Sequence, residues 1–210
     1  MASTAPLATP RFLRPAVLDR VEQAVIVLLW GLMVLRVVHS SNHLSWLPLL
    51  SESAIMVFVL IRRPTEHISL DLGDWMLAIT ATCAPMLIQL GPNPLPQIEA
   101  VGVILWVLGN IVQVAAKLTL RRSFGIAPAN RGVKLGGAYR FVRHPMYAGY
   151  LCVHIATLIM MGSPINVAIY AIGWCAQIRR LLAEERLLGQ DTAYAEYMGR
   201  VKWRLIPGIF

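Results

Sequence analysis

The chain has 210 residues, of which 57% are hydrophobic and 14% are charged. Soluble domains usually carry about 25% charged residues, so this composition excludes an ordinary soluble domain and indicates a helical membrane protein. The net charge of +8 is explained by basic connectors beside apolar segments, which set membrane topology, rather than by binding to nucleic acid.

Six apolar segments separated by polar connectors are predicted to be transmembrane helices of an all-α fold. The second segment is marginal because Ser51, Glu52 and Ser53 interrupt it, so a five-helix arrangement is the alternative. Glu52 is expected to lie near the outer interface or to face other helices. In chain order, the segments are about 21–38, 47–61, 75–90, 98–118, 145–161 and 165–182.

The basic residues predict how these helices are oriented, because they concentrate on the cytoplasmic side of membrane proteins. With both termini cytoplasmic, every lysine and arginine except Arg36 falls on the cytoplasmic side, including Lys117 at the end of the fourth segment. Arg36 is expected to reach the membrane interface with its long side chain. The sequence therefore predicts a multi-pass protein, with both termini in the cytoplasm, in the bacterial inner membrane.

The fourth segment carries small and polar residues among its apolar ones. Gly102 and Gly109 lie seven residues apart, so they serve either close packing within the protein or a dimer contact. Asn110 and Gln113 either form hydrogen bonds between helices or line an internal pocket.

The last two apolar segments are joined by the short turn Gly162-Ser163-Pro164. So short a connection predicts an antiparallel helical hairpin whose cytoplasmic ends meet. The sixth helix is expected to continue beyond the membrane to Leu188. After it, an amphipathic helix is predicted from the helical spacing of Tyr194, Tyr197, Val201 and Trp203.

A motif rich in cationic and aromatic side chains, residues 140–150, lies between a glycine-bearing polar loop and the fifth segment. Pro145 suits the first turn of a helix. Arg143 and His144 would then lie at the helix mouth, near backbone N–H groups able to hold an anion. If the fifth and sixth helices pack as a hairpin, Arg143, His144 and Tyr147 would face residues at the end of the sixth helix.

Arg180 and Glu184 lie four residues apart and share one face of that helix. They are either a surface ion pair or a recognition pair for a zwitterion, and the neighbouring 140–150 motif favours recognition. His144 has no second ligand at metal-binding spacing, so no metal site is predicted. These residues indicate a pocket for a polar, partly anionic small molecule that opens towards lipid, without naming a reaction.

Residues 136–150, the Glu184-Glu185-x-x-Leu188 helix and the terminal Tyr-x-x-Tyr…Arg-Leu-Ile-Pro resemble the isoprenylcysteine carboxyl methyltransferase (ICMT) family. Phospholipid N-methyltransferases share the general plan. The resemblance covers roughly residues 121–207, in the order and spacing of the family.

The resemblance implies S-adenosylmethionine as the cofactor, held between the polar loop and the cytoplasmic ends of the last two helices. In the family, a loop wraps the cofactor, a tyrosine and a segment beginning with histidine contact it, and a glutamate binds it. By position, these residues are Arg131, Gly132, Val133, Lys134, Tyr139, His144, Pro145, Met146, Tyr147 and Glu184.

The resemblance also implies which residues act on the substrate. Arg180 matches an arginine on the substrate side, and Arg180, Glu184 and Arg143 are the predicted catalytic residues.

Residues 1–118 would supply N-terminal transmembrane helices, and residues 119–210 the catalytic region of one structural domain. The predicted reaction moves a methyl group to a lipophilic substrate, such as an isoprenoid or prenylcysteine-type carboxylate or a small lipid, with N-methylation as a variant.

Two other functions are weighed against methyl transfer. A sterol-type membrane reductase can share a similar C-terminal half but would bind NADPH. A small transporter or membrane scaffold would gather polar residues at mid-membrane, whereas in this sequence the polar groups are expected at the cytoplasmic helix ends. Both alternatives are therefore less favoured.

Overall fold

The computed structural model describes residues 15–42, 44–61, 69, 71–120 and 135–210. Over these residues the chain is helical and contains no β-strand, so the predicted all-α fold is confirmed there. The helices are α1 (Pro15–Val38), α2 (Trp46–Ile61), α3 (Leu72–Cys83), α4 (Glu99–Leu120), α5 (Pro145–Met161), α6 (Pro164–Leu188) and α7 (Thr192–Arg200).

Two helices in the described part of the chain are long and apolar enough to cross a membrane. They are Arg20–Val38, with 19 residues, and Pro96–Leu120, with 25 residues. The apolar helices Trp46–Ile61, Leu72–Leu87 and Pro145–Met161 are shorter. The six-span topology therefore stays a prediction, although the marginal second segment does form one continuous helix.

Local side-chain chemistry explains where the later helices begin. The Ser163 side chain accepts a hydrogen bond of 3.1 Å from the Asn166 N–H, and Pro164 occupies the first position of α6. Asp191 accepts hydrogen bonds from the first N–H groups of α7 in the same way. Pro145 begins α5 at the predicted residue.

Glycines allow α4 and α5 to pack closely together. A Cβ atom at Gly109 would lie 2.9 Å from the Gly149 carbonyl oxygen and 2.9 Å from the Cys152 Cβ. A Cβ atom at Gly102 would lie 2.8 Å from the Met160 Cγ. Both glycines of the fourth segment therefore serve packing within the protein, which supports the first of the two alternatives.

The closely packed α5–α6 hairpin is not confirmed. In the described structure α5 packs mainly on α4, and α6 packs mainly on α3, while α5 and α6 share few backbone contacts. Side chains bridge the two helices instead, and His154 of α5 stacks on Tyr170 of α6 with ring centroids 4.5 Å apart. The two helices therefore leave room for polar and aromatic groups between them.

The Arg36 side chain bonds to the turn that follows α3, and its expected position at the membrane interface stays a prediction. It is half-buried, and its Nη1 donates a hydrogen bond of 2.8 Å to the Met86 carbonyl, while Nη2 donates to the Ile88 carbonyl. Pro85 disrupts regular helical bonding here and the chain tightens into a 3₁₀ turn, Ala84–Leu87. Arg36 therefore binds carbonyl groups that the interrupted helix leaves without partners.

The C-terminal amphipathic helix is shorter than predicted. α7 ends at Arg200, and Val201 has an extended backbone. The Trp203 and Arg204 carbonyls accept hydrogen bonds from the backbone N–H groups of Arg143 and His144, each 2.8 Å long. Val201 and Trp203 were therefore wrongly placed on a helix, because this segment pairs with the chain before α5.

Candidate active site

The first turn of α5 meets the last turns of α6 at a cluster of three side chains. The Tyr147 hydroxyl donates a hydrogen bond to Oε1 of Glu184. The Arg180 Nε lies 3.2 Å from the same oxygen, and the guanidinium carbon lies 5.4 Å from the centre of the Tyr147 ring. The structure thus brings together three of the predicted site residues from the two helices.

The three groups differ in their access to solvent. Tyr147 is 1% exposed, and the Arg180 side chain is 4% exposed, whereas the Glu184 side chain is 18% exposed. A buried arginine needs a counter-charge and hydrogen-bond acceptors, and Glu184 supplies both. In this cluster, therefore, the Glu184 carboxylate is accessible, whereas the Arg180 guanidinium is buried and held in place.

A second cluster is centred on Glu185. Its Oε1 lies 3.1 Å from Arg143 Nε and 3.1 Å from His144 Nε2, and its Oε2 accepts a hydrogen bond of 2.9 Å from Arg204 Nε. Burial alone would raise the pKa of Glu185. The hydrogen bonds from His144 and Arg204, together with the charge of Arg143, outweigh that effect and hold the pKa below its ordinary value.

Two predicted site residues, Arg143 and His144, do not face the end of α6 in the way that the sequence predicted. Arg143 and His144 lie against Glu185, while Tyr147 alone of the three faces Arg180 and Glu184. The backbone N–H groups of Arg143 and His144 are also occupied by the C-terminal segment. An anion at the start of α5 would therefore have to bind to donors other than these two backbone N–H groups.

Tyr139 lies in a 3₁₀ turn just before α5 and is 8% exposed. Burial first, and then the charge of Glu184, raise the pKa of Tyr139 well above its ordinary value, so the phenol stays neutral. Its backbone carbonyl accepts a hydrogen bond of 2.6 Å from the Tyr197 hydroxyl. α7 thereby fixes the chain beside the Glu184 carboxylate.

The remaining predicted cofactor residues divide into two groups. Pro145 and Met146 are buried in the first turn of α5. The loop predicted to wrap the cofactor lies outside the described residues, and its members are Arg131, Gly132, Val133 and Lys134.

The sequence reasoning missed Glu185 and Arg204. Both stand in motifs that carry the family resemblance, the Glu-Glu pair and the terminal Arg-Leu-Ile-Pro, yet neither received a role. The available signal was that Glu185 is an acidic residue at the predicted cytoplasmic end of the sixth helix, where several cationic residues were also expected. Spacing alone could not show that these cations converge on Glu185.

Buried polar groups also lie on other helices of the described structure. Lys117, predicted to be a cytoplasmic charge, is 0% exposed. Its Nζ donates a hydrogen bond of 3.2 Å to Gln113 Oε1 and lies 5.3 Å from the centre of the Tyr150 ring. Glu52 of α2 is 5% exposed and faces the protein interior.

Comparison with known proteins gives a family match over part of the chain. Residues 102–190, from α4 to just beyond α6, match the isoprenylcysteine carboxyl methyltransferase (ICMT) family. The matched region contains Arg143, Tyr147, Arg180 and Glu184. It does not include α1, α2 or α3.

Similar proteins occur in plants. Protein-S-isoprenylcysteine O-methyltransferases A and B of Arabidopsis thaliana are 32% and 31% identical to this chain over 104 and 108 residues. These alignments cover 46% and 48% of this chain and 53% and 55% of the relatives. A probable protein-S-isoprenylcysteine O-methyltransferase of Oryza sativa subsp. indica is 29% identical over 112 residues, covering 50% of this chain and 59% of the relative. The chain thus spans about half the length of the curated relatives it matches.

Proposed function

Because the chain is ICMT-like from α4 to the end of α6, we propose that it is a membrane methyltransferase that uses S-adenosylmethionine. The observation that carries the proposal is the meeting of Tyr147, Arg180 and Glu184 where α5 and α6 converge. The proposed acceptor is a carboxylate on a lipophilic molecule. The named activity of the relatives, methylation of protein S-isoprenylcysteine, supports this acceptor class.

The chemistry of the site residues fits the proposed cofactor. S-adenosylmethionine carries an ammonium group and a sulfonium cation, and it supplies an electrophilic methyl group when bound. Glu184 provides an accessible carboxylate for the ammonium group. We assign further contacts to Tyr139, His144 and Tyr147, whose aromatic rings suit a cationic ligand. The predicted loop at residues 131–134, together with Pro145 and Met146, completes the proposed set.

Methyl transfer to a carboxylate requires positioning more than acid–base chemistry. The carboxylate oxygen forms the new bond to the methyl carbon, the bond from that carbon to sulfur breaks, and sulfur keeps the electron pair. No proton moves, so no general base is needed. Arg180, buried and held by Glu184, would orient the carboxylate, and the surrounding apolar helices would exclude water.

Arg143 takes a different role in this proposal from the predicted one. It contacts Glu185 rather than the Arg180–Glu184 pair. We therefore treat Arg143 as a positioning residue that, through Glu185, holds His144 at the start of α5. Arg180 and Glu184 remain the proposed residues in contact with substrate and cofactor.

The test is a binding titration of S-adenosylmethionine on the purified protein in detergent micelles. We expect saturable binding by the wild type and a loss of about 10-fold or more in affinity for Glu184→Ala, since a charge-assisted contact is removed. Glu196→Ala, at an exposed position of α7, is the matched control and should bind like the wild type.

NADPH titrated under the same conditions addresses the reductase alternative. We expect it neither to bind nor to raise the unfolding temperature. Absence of S-adenosylmethionine binding by the wild type, or equal losses in the two glutamate variants, would contradict the proposed function. Mass spectrometry of lipids from membranes supplied with methyl-labelled cofactor then identifies the product.

A further inference from the structure

A wide groove lies between the start of α3 and the end of α6. Its volume is about 670 Å³. Three arginines line it, Arg179 and Arg186 of α6 and Arg204 of the C-terminal segment. Because successive helical residues point about 100° apart, Arg179 and Arg186 lie on a different face of α6 from Arg180 and Glu184. The groove is therefore separate from the proposed contacts to cofactor and substrate.

The carboxylates in the walls of the groove already have partners within the protein. Asp71 caps α3 by accepting a hydrogen bond of 3.0 Å from the Asp74 N–H. Asp74 Oδ2 accepts a hydrogen bond of 2.7 Å from Ser69 Oγ. Glu185 is held by the cations of its own cluster. The acidic side of the groove is thus largely neutralised by internal contacts.

Two of the arginines, by contrast, keep donors available for a ligand. Arg179 is exposed and forms no hydrogen bond or ion pair with any residue that the structure describes. Arg186 lies 3.8 Å from Asp74 Oδ1, but its side chain is 76% exposed, so this ion pair is weak. Arg204 differs, since its Nε donates to Glu185. Arg179 and Arg186 are therefore the cations that an external anion can reach.

The sequence of α6 indicates the depth at which these arginines lie in a membrane. Residues 164–178 include no charged side chain, and Arg179 is the first cation of the helix. On the exposed stripe that contains Arg179 and Arg186, the preceding residues at helical spacing are Ile172 and Cys175. Where an apolar stripe becomes basic, the cations lie at the level of the lipid head groups.

Apolar side chains continue this stripe on both sides of the groove. Leu72, Met76 and Ile79 are exposed and follow one face of α3. Leu182 lines the groove between the two arginines of α6. A ligand in the groove would therefore meet free guanidinium groups at one end and hydrocarbon-facing side chains at the other.

We propose that this groove binds the head group of an anionic phospholipid. The phosphodiester would lie between Arg179 and Arg186, and the acyl chains would follow the apolar stripes of α3 and α6. A guanidinium group can donate two hydrogen bonds to one phosphate. Basic pockets between membrane helices on the cytoplasmic side are suited to such head groups. The proposal rests on the predicted orientation of α3 and α6, and it does not depend on the proposed function.

The test measures lipid binding to the purified protein by native mass spectrometry, with phosphatidylglycerol and phosphatidylcholine of identical acyl chains. We expect the wild type to prefer phosphatidylglycerol by about 10- to 30-fold, because each of two interfacial arginines contributes about 5-fold. Arg179→Gln combined with Arg186→Gln should remove most of this preference. The corresponding double lysine variant should keep part of it, because the charge remains while the paired hydrogen bonds are lost.

The matched control combines Arg140→Gln with Arg200→Gln. It removes the same charge from two exposed positions outside the groove, so it should keep the preference for phosphatidylglycerol. Both double glutamine variants should unfold at similar temperatures in phosphatidylcholine, because all four arginines are exposed. Arg204 is left intact because its bond to Glu185 gives it a structural role.

The proposal has outcomes that would overturn it. Equal binding of the two lipids by the wild type would do so. Equal losses in the two double glutamine variants would also do so, because they would indicate a diffuse attraction to the positive surface. Binding of an acidic peptide that required Arg179 and Arg186, without any lipid preference, would assign the groove to a protein partner instead. None of these results concerns S-adenosylmethionine binding, which is measured separately, so the two proposals can fail independently.

Discussion

The hydroxyl of Tyr147 donates a hydrogen bond to the carboxylate of Glu184 across 37 residues of sequence. This contact joins the first turn of α5 to the end of α6 and fixes the orientation of the acidic group. Arg180 approaches the same oxygen from within α6. The geometry of the proposed cofactor site therefore depends on a bond between helices that share few backbone contacts.

Removal of this hydroxyl should weaken cofactor binding without unfolding the protein. We expect Tyr147→Phe to lower the affinity for S-adenosylmethionine by about 3- to 10-fold, as one hydrogen bond is lost while the ring still packs on Arg180. Tyr194→Phe is the control, since the Tyr194 hydroxyl is buried without a hydrogen-bond partner among the described residues. Isothermal titration of both variants measures the difference, and equal losses would show that the Tyr147 hydroxyl has no special role.

Substitutions of the two adjacent glutamates should separate an effect on stability from an effect on cofactor binding. Glu185→Ala leaves buried Arg143 without its counter-charge and His144 without its hydrogen-bond partner, and we expect a loss of about 3–5 kcal/mol in the free energy of unfolding. Glu184→Gln should cost less stability, because its amide oxygen can still accept the hydrogen bonds from Tyr147 and Arg180, but it should impair cofactor binding because the negative charge is lost. Denaturant titration in mild detergent measures the first effect, and similar stability losses in both variants would contradict this assignment.

The lowered pKa of Glu185 predicts how acid affects stability. A carboxyl group whose pKa is lower in the folded state stabilises the protein above its ordinary pKa of 4.5, and this contribution is lost as the pH falls through the folded-state value. The unfolding free energy of the wild type should therefore decrease on acidification below about pH 4.5. Glu185→Gln lacks this contribution, so its unfolding free energy should depend less steeply on pH. Identical slopes in the wild type and the variant would contradict the role of Glu185 in acid sensitivity.

The close approach of α4 and α5 makes Gly109 sensitive to any added side chain. Gly109→Ala places a methyl group 2.9 Å from a backbone carbonyl oxygen, and we expect a loss of about 1–3 kcal/mol in stability from overpacking. Gly31→Ala is the matched control, because a Cβ atom there meets no atom of the described structure within 4 Å. It should be neutral or slightly stabilising, and thermal unfolding of the two variants provides the comparison.

The helices of the C-terminal half were predictable because their boundaries depend on nearby residues. Pro145 starts α5, and Ser163 with Pro164 starts α6, through capping and fixed backbone angles that need no distant partner. The resemblance to the ICMT family was also read from contiguous motifs, and the match over residues 102–190 confirms it. The functional roles of the individual site residues remain proposals.

Other features required the tertiary structure because they depend on helix rotation and packing. Successive residues of a helix point about 100° apart, so the rotation of α6 about its own axis decides whether Glu184 or Glu185 meets His144. The same dependence explains why Lys117 is buried, and why Glu52 faces other helices, which was one of the two positions expected for it. The amino-acid sequence by itself determined the helical composition, the starts of α5 and α6 and the resemblance to the ICMT family. Only the packed structure decided which charges are paired and which polar groups are buried, because those contacts join residues that are distant in the chain.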